Sequence, residues 1–209
     1  MTFAQRAGGA DIANAAEAAT TDAKHLSSAE LEAGLDWIRA APADHGRLEL
    51  IVRRPAVDLR EVLDEALLTP TEGVVGDNWR LRKSSSTPDG APDPDRQLTL
   101  VNARLISLVA VQRERWALAG DQLFVDFDLS VDGAPAGTRL EIGSALIELT
   151  EPPHLGCAKF VSRYGTEAMR FVNSTTGRSL RLRGAHAKVI VSGTVHQGDA
   201  VTRADPAAR

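Results

Sequence analysis

The chain has one cysteine in 209 residues. An intrachain disulfide is therefore excluded, and the usage fits a reducing cytosol. Aromatic residues make up only 4% of the positions, so a core has to come from Leu, Val, Ile and Ala. No apolar run approaches the roughly 20 residues of a membrane-spanning helix. The first residues lack the basic stretch and apolar block of a secretory signal, and a cytoplasmic location is expected. The net charge is only −4, which gives no bulk attraction to nucleic acid or to an anionic membrane. No GxGxxG or GxxxxGK(S/T) run follows an expected strand, so a nucleotide-binding fold has no support. A nucleophile elbow and an internal repeat are both missing.

What is present is a series of short patterned segments. Ser27 or Ser28 can cap a helix that Pro42 stops. Residues 48–52 read as a strand. Asp58 can cap a second helix over residues 59–68, with Val62, Leu63 and Ala66 on one face. Residues 84–96, with Pro88, Gly90, Pro92 and Pro94, read as an exposed loop. Residues 97–101 form an expected strand, followed by a short helix reaching Trp116. In 122–129, Leu123, Val125, Phe127 and Leu129 alternate with polar residues, as a half-buried strand requires. Gly143-Ser144 separates two alternating runs, 138–142 and 145–149, which is a hairpin signal. A helix is expected from Cys157, broken at Gly165 and restarted over 168–172. Residues 174–178 read as a polar turn, and 187–191 and two shorter runs as strands. Many short strands with glycine turns and few helices predict a mainly β fold of the α+β kind: an antiparallel barrel, closed or partly open, with peripheral helices.

The hairpin delivers the chain to Pro152-Pro153-His154-Leu155-Gly156-Cys157-Ala158-Lys159-Phe160. A lone cysteine is ordinarily a small buried hydrophobe. Here a Pro-Pro-His-x-Gly loop precedes it and a helix begins at it, where unpaired N–H groups favour thiolate. Lys159 and Arg163 add positive charge, and His154 can partner a proton. Such a thiolate could attack an electrophile, carry sulfur as a persulfide, or bind a soft metal. His154-x-x-Cys157 is only half of a zinc site, and the other histidines are not spaced to complete it. A second cluster, Arg178, Arg181, Arg183 and Lys188, is either a solvated strand face or a cradle for an anion. Gly184 would let the backbone approach a ligand closely. Asn102, Arg104, Asp126 and Asp128 are weaker candidates.

An ordered set of motifs resembles the MOSC domain, the module named for the C-terminal part of molybdenum cofactor sulfurases. It comprises Gly120-Asp121-Gln122-Leu123, Asp128-Leu129-Ser130, Thr138-x-Leu140-x-Ile142-Gly143, Pro-Pro-His-x-Gly-Cys157-x-Lys159-Phe160, Arg163-x-Gly165, Arg183-Gly184 and Gly198-Asp199. The resemblance spans residues 97–203. It implies a barrel akin to the pyruvate kinase barrel domain. The chain reading itself expects a disordered or loosely helical tail over 1–26, a helical and β N-terminal part over 27–96 packing on the barrel, and a short tail over 204–209. It also implies that Cys157 is the functional cysteine, either carrying sulfur or ligating the molybdenum of a pterin cofactor. His154 and Lys159 would line that site, with Arg183, Gly184, Arg181, Arg178, Asn102 and Arg163 on the cofactor. Some relatives reduce N-hydroxylated small molecules. With one cysteine in this chain, an electron or sulfur donor would be another protein. Many relatives carry proline directly before the cysteine, where this chain has Gly156.

Overall fold

Alternation along the strands sorts the apolar residues into two cores. The computed structural model describes residues 24–205. Most of the expected tail 1–26, and the last four residues, lie outside that range. Seven strands close a barrel in the order β1 (Gly46–Arg53), β6 (Leu123–Asp126), β5 (Leu98–Asn102), β9 (Ala185–Val191), β8 (Ala145–Pro153), β7 (Arg139–Ile142) and β11 (Ala200–Arg203), which returns to β1. On β6, Leu123 and Val125 point into the barrel and Phe124 points out, as the two-residue period of a strand requires. On β1, a register shift between Leu48 and Leu50 flips the parity. Leu48 and Ile51 therefore belong to the inner core, while Leu50 and Val52 belong to the outer one.

The outer core is roofed by helices. These are α1 (Ser28–Ala33), α2 (Leu35–Arg39), α3 (Ala103–Ala110) and α4 (Ala158–Asn173), with a 3-10 segment over Arg113–Ala119. Ser27 caps α1 in a reciprocal capping box with Glu30. On α4, Phe160, Tyr164, Ala168 and Val172 recur every four residues and are buried. The break expected at Gly165 is present: its φ is +89°, and an added Cβ would lie 2.8 Å from His25 Nδ1.

Several expectations need correction. Residues 59–68 are not a helix but β2 (Glu61–Leu63) and β3 (Glu65–Thr69). Over so short a run, helical and alternating patterns overlap, and pairing decides between them. β3 buries Ala66 and Leu68, and forms a second sheet with β4 (Gly73–Val74) and β10 (Gly193–His196). Asp58 caps nothing there. It stands at φ +62°, its carboxylate held by Lys159 and Arg163. Residues 174–178 are not a turn; α5 (Thr175–Ser179) forms there, capped by the Ser174 hydroxyl, which accepts from the Gly177 N–H. Arg181 and Arg183 sit in a turn before β9, not on a strand.

The barrel is mixed rather than wholly antiparallel, because β5 and β6 run parallel. α3 and the following 3-10 segment supply the crossover that a parallel pair needs. The barrel also begins before residue 97, because β1 is one of its staves. No helix among the described residues is long and apolar enough to cross a membrane.

Candidate functional site

β8 ends at Pro153, and residues 154–157 carry the chain to α4. Cys157 is the N-terminal cap of that helix, in extended conformation (φ −129°), and its carbonyl accepts from the N–H groups of Phe160 and Val161. The thiol makes no capping bond and is exposed. The turn before it is fastened to the far end of α4. Gly156 N–H donates to Asn173 Oδ1 (3.0 Å), and an added Cβ would lie 2.8 Å from Met169 Sδ. A proline at this position could not make that bond. Gly156→Pro is expected to lower the unfolding free energy by about 1 kcal/mol, read from urea melts, through the lost hydrogen bond.

His154 points inward from the same loop. Its Nδ1 is buried, lacks a hydrogen-bond partner and lies 3.5 Å from Asp121 Oδ1. Asp121 is fully buried and receives Arg183 Nη1 on both oxygens, at 3.0 and 2.7 Å. Arg183 Nη2 donates to the Ala119 carbonyl, and its guanidinium lies over the Phe160 ring. The His186 ring is 4.7 Å from that of His154, and its Nδ1 is also buried and unpartnered. Burial, then the nearby Arg183 and His186, holds the His154 imidazole well below its ordinary range. Burial, then Arg96, takes His186 down to about 4. Both rings are therefore neutral near pH 7. Gly184 closes this cluster: its φ is +114°, and a Cβ would lie 2.2 Å from the Leu100 carbonyl and 3.2 Å from His154 Nδ1.

The two imidazoles form one wall of a cavity of about 240 Å³. Its other walls carry Arg54, Arg82, Lys83 and Arg96, with Gly120 between them. Arg54 is held bidentately by buried Asp77 and donates to the Gly120 carbonyl. Arg82 donates to Asn78, and Arg96 to Asp93. Arg60 stands over Gly120 with a buried, unpartnered Nε. Burial, then Arg163 and Arg54, lowers it to about 10. On a chain of net charge −4, this is a concentrated patch of cations. Its donors suit an anionic oxygen group, and planar guanidinium suits phosphate or carboxylate best.

The expected site residues divide into groups. Cys157 and His154 share the loop, and Arg183 and Gly184 close around His154. Lys159 turns outward instead, to Asp58 at 2.5 Å. Arg163 also reaches Asp58 and donates to the Leu118 carbonyl. Arg178 and Arg181 line a different groove, which also touches His154 and Gly184. Asn102 is architectural: its Oδ1 accepts from the N–H groups of Arg104 and Leu105 at the start of α3, and its amide donates to the Phe127 carbonyl. Both ends of its side chain are therefore occupied by the chain itself. Arg104 pairs with Asp126, and Asp128 accepts from Ser130 N–H. Lys188 pairs with Asp95 and Glu148.

Sequence reasoning does not single out Arg54, Arg82, Arg96 or His186. The runs Arg53-Arg54 and Arg80-Leu81-Arg82-Lys83 were the available signal. His186 gave none, because it lies inside an apolar strand. The loop 84–96 is exposed at Ser85, Ser86, Pro88 and Asp89, but Pro92, Asp93 and Arg96 wall the cavity. Among the described residues, no group of three or more His, Cys, Asp or Glu side chains is arranged to hold a metal ion.

A family model described as MOSC domain matches residues 93–202, more than half of the 209 residues. A crystal structure described only as that of a hypothetical protein shares the fold. It is 19% identical with a TM-score of 0.52, over 79% of this chain and 70% of that one. The YUAD protein from Bacillus subtilis is 15% identical, over 75% of this chain and 93% of that one, with a TM-score of 0.49. YiiM from Escherichia coli is 21% identical, over 78% and 72%, also with a TM-score of 0.49. No curated protein matches the chain. The chain belongs to the MOSC domain family, a family associated with molybdenum cofactor binding.

Proposed function

We propose that the protein binds the molybdenum cofactor and uses it as an oxidoreductase on N-hydroxylated or similar small substrates, with Cys157 as a ligand of the metal. One observation carries this reading: the cation-lined cavity shares His154 with the loop that ends at Cys157. Three residues of chain span at most about 11 Å, so the thiol is tethered close to the cavity.

The residues fit the group. The cofactor is a phosphate-bearing pterin, and the cavity offers Arg54, Arg82, Lys83 and Arg96 to a phosphate. The buried, unpartnered Nδ1 atoms of His154 and His186 lack the partners that buried polar groups normally have. When bound, the metal supplies two-electron redox chemistry. The chain's own part is to hold the anionic end, to present one exposed thiol, and to keep two neutral imidazoles at the wall. A neutral His154, backed by Asp121, can orient a ligand or pass a proton. Removing oxygen from an N–OH group consumes two electrons and two protons and releases water, so a separate electron-donor protein is part of the proposal.

The test is elemental analysis of protein purified from a host that makes the cofactor. Bound molybdenum is expected, reduced in Arg82→Gln and lost with reductase activity in Cys157→Ala. Protein free of molybdenum and of pterin would overturn the reading. The exposed, uncapped thiol favours a second one, a sulfur carrier holding a Cys157 persulfide for delivery to a partner. Intact mass after mild purification would then show one extra sulfur, removed by reductant.

A further inference from the structure

On the other side of His154 from the basic cavity lies a second groove of about 420 Å³. Its size falls within the range of small-molecule sites. Pro135, Pro153, Leu155 and Val172 supply apolar walls, and Arg178 and Arg181 supply the charge. Arg178 spends only Nε on the chain, donating to the Asn173 carbonyl at 3.0 Å. Arg181 is half-buried, stands at φ +44°, and donates Nη1 to the Ala134 and Leu129 carbonyls. A bulky residue held at positive φ is strained, and here the fold aims a guanidinium along the groove wall.

We propose that this groove binds a small amphipathic carboxylate, and that it is the substrate pocket of the site across His154. The pocket role rests on the cofactor reading above; the binding itself does not. A planar carboxylate matches the guanidinium fork, and its apolar body matches the proline, leucine and valine walls. Glu151, which is exposed, also lines the groove. Its charge against two arginines leaves room for one negative charge, which favours a carboxylate over a phosphate dianion. His154 borders both spaces, so a ligand here lies against the one side chain common to groove and cavity.

The test is a titration of the full chain with octanoate, octanamide and inorganic phosphate, followed by backbone amide shifts. Octanoate is expected to saturate, with shifts at Leu155, Gly177 and Gly184. Octanamide should bind at least about tenfold more weakly, because a bond to a charged group is lost. Arg178→Gln should weaken octanoate about tenfold with an unchanged melting temperature, while Arg82→Gln leaves octanoate affinity unchanged. Equal binding of octanoate and octanamide, preference for phosphate, absence of saturation, or loss of octanoate binding in Arg82→Gln would each overturn the proposal. None of these outcomes depends on molybdenum content, so the two readings fail separately.

Discussion

Asp121→Asn lowers the unfolding free energy by about 3–5 kcal/mol, the usual cost of removing one partner of a buried ion pair. Asp121 is fully buried, and both of its oxygens are taken by Arg183 Nη1. Arg183 is itself buried and Arg54 lies nearby, so the neutral amide strands a buried cation beside another cation. A buried pair need not be a net stabiliser, because desolvation opposes the attraction. Burial raises the Asp121 carboxyl from its ordinary value, against the opposing pull of Arg183. Desolvation therefore works against the attraction. Asp121→Leu with Arg183→Met should accordingly recover most of the loss, to within about 1–2 kcal/mol of the native protein. Urea melts of the two single variants and the double variant measure the coupling. If Asp121→Asn unfolds like the native chain, the pair is hydrated and this account is wrong.

The fold loses stability as pH falls from about 6.5 to about 4, on the order of 3 kcal/mol from His186 alone. The sign follows from the depressed value. Unfolded His186 takes a proton once pH drops below its ordinary 6.5, whereas the folded ring resists until about 4. In that window the unfolded state binds more protons and is favoured by acid. Above it both states are neutral and nothing is lost. His154 acts in the same direction, since burial, Arg183 and His186 hold it well below its ordinary range, while Asp121, whose carboxyl burial raises, opposes both. Asp44, Asp58 and Glu167 also have lowered values, from hydrogen bonds to their partners. Their contribution starts to fall away only near the ordinary carboxylate values, at the acid edge of the imidazole window, so a scan kept at pH 5 and above reads mainly the imidazoles. Denaturation midpoints at pH 7.5, 6.0 and 5.0 should fall steadily, and His186→Gln should flatten that slope. A profile that is flat between pH 7.5 and pH 5.0 would place both rings in solvent.

Local chemistry made some of the fold legible. Gly143-Ser144 required a positive φ, and Gly143 has one, at +56°. Gly165 broke its helix for the same reason. Cys157 read as the start of a helix because a proline-rich loop ended there, and it caps α4. Residues 59–68 misled because spacing alone does not separate ten residues of helix from two short strands. Their partners, β1 and β10, lie elsewhere in the chain, and hydrogen bonding to them decided the outcome. Asn102 misled for a related reason: a polar residue beside a motif is as suited to capping a helix as to holding a ligand.

The sequence by itself determined the family, a mainly β barrel and the one cysteine able to do thiol chemistry. Those depend on ordered motifs, strand alternation and a residue count, all of which are properties of neighbours in the chain. Only the tertiary structure decided where the charge gathers. Arg54, Arg82, Arg96 and His186 come from four separate segments and meet only because the barrel closes and the turn at Gly184 approaches Leu100. It also turned Lys159 away to Asp58 and put Arg178 and Arg181 on a groove of their own. Electrostatic grouping depends on distance in space, and in a barrel the residues that share a wall are those on adjacent staves, however far apart they lie along the chain.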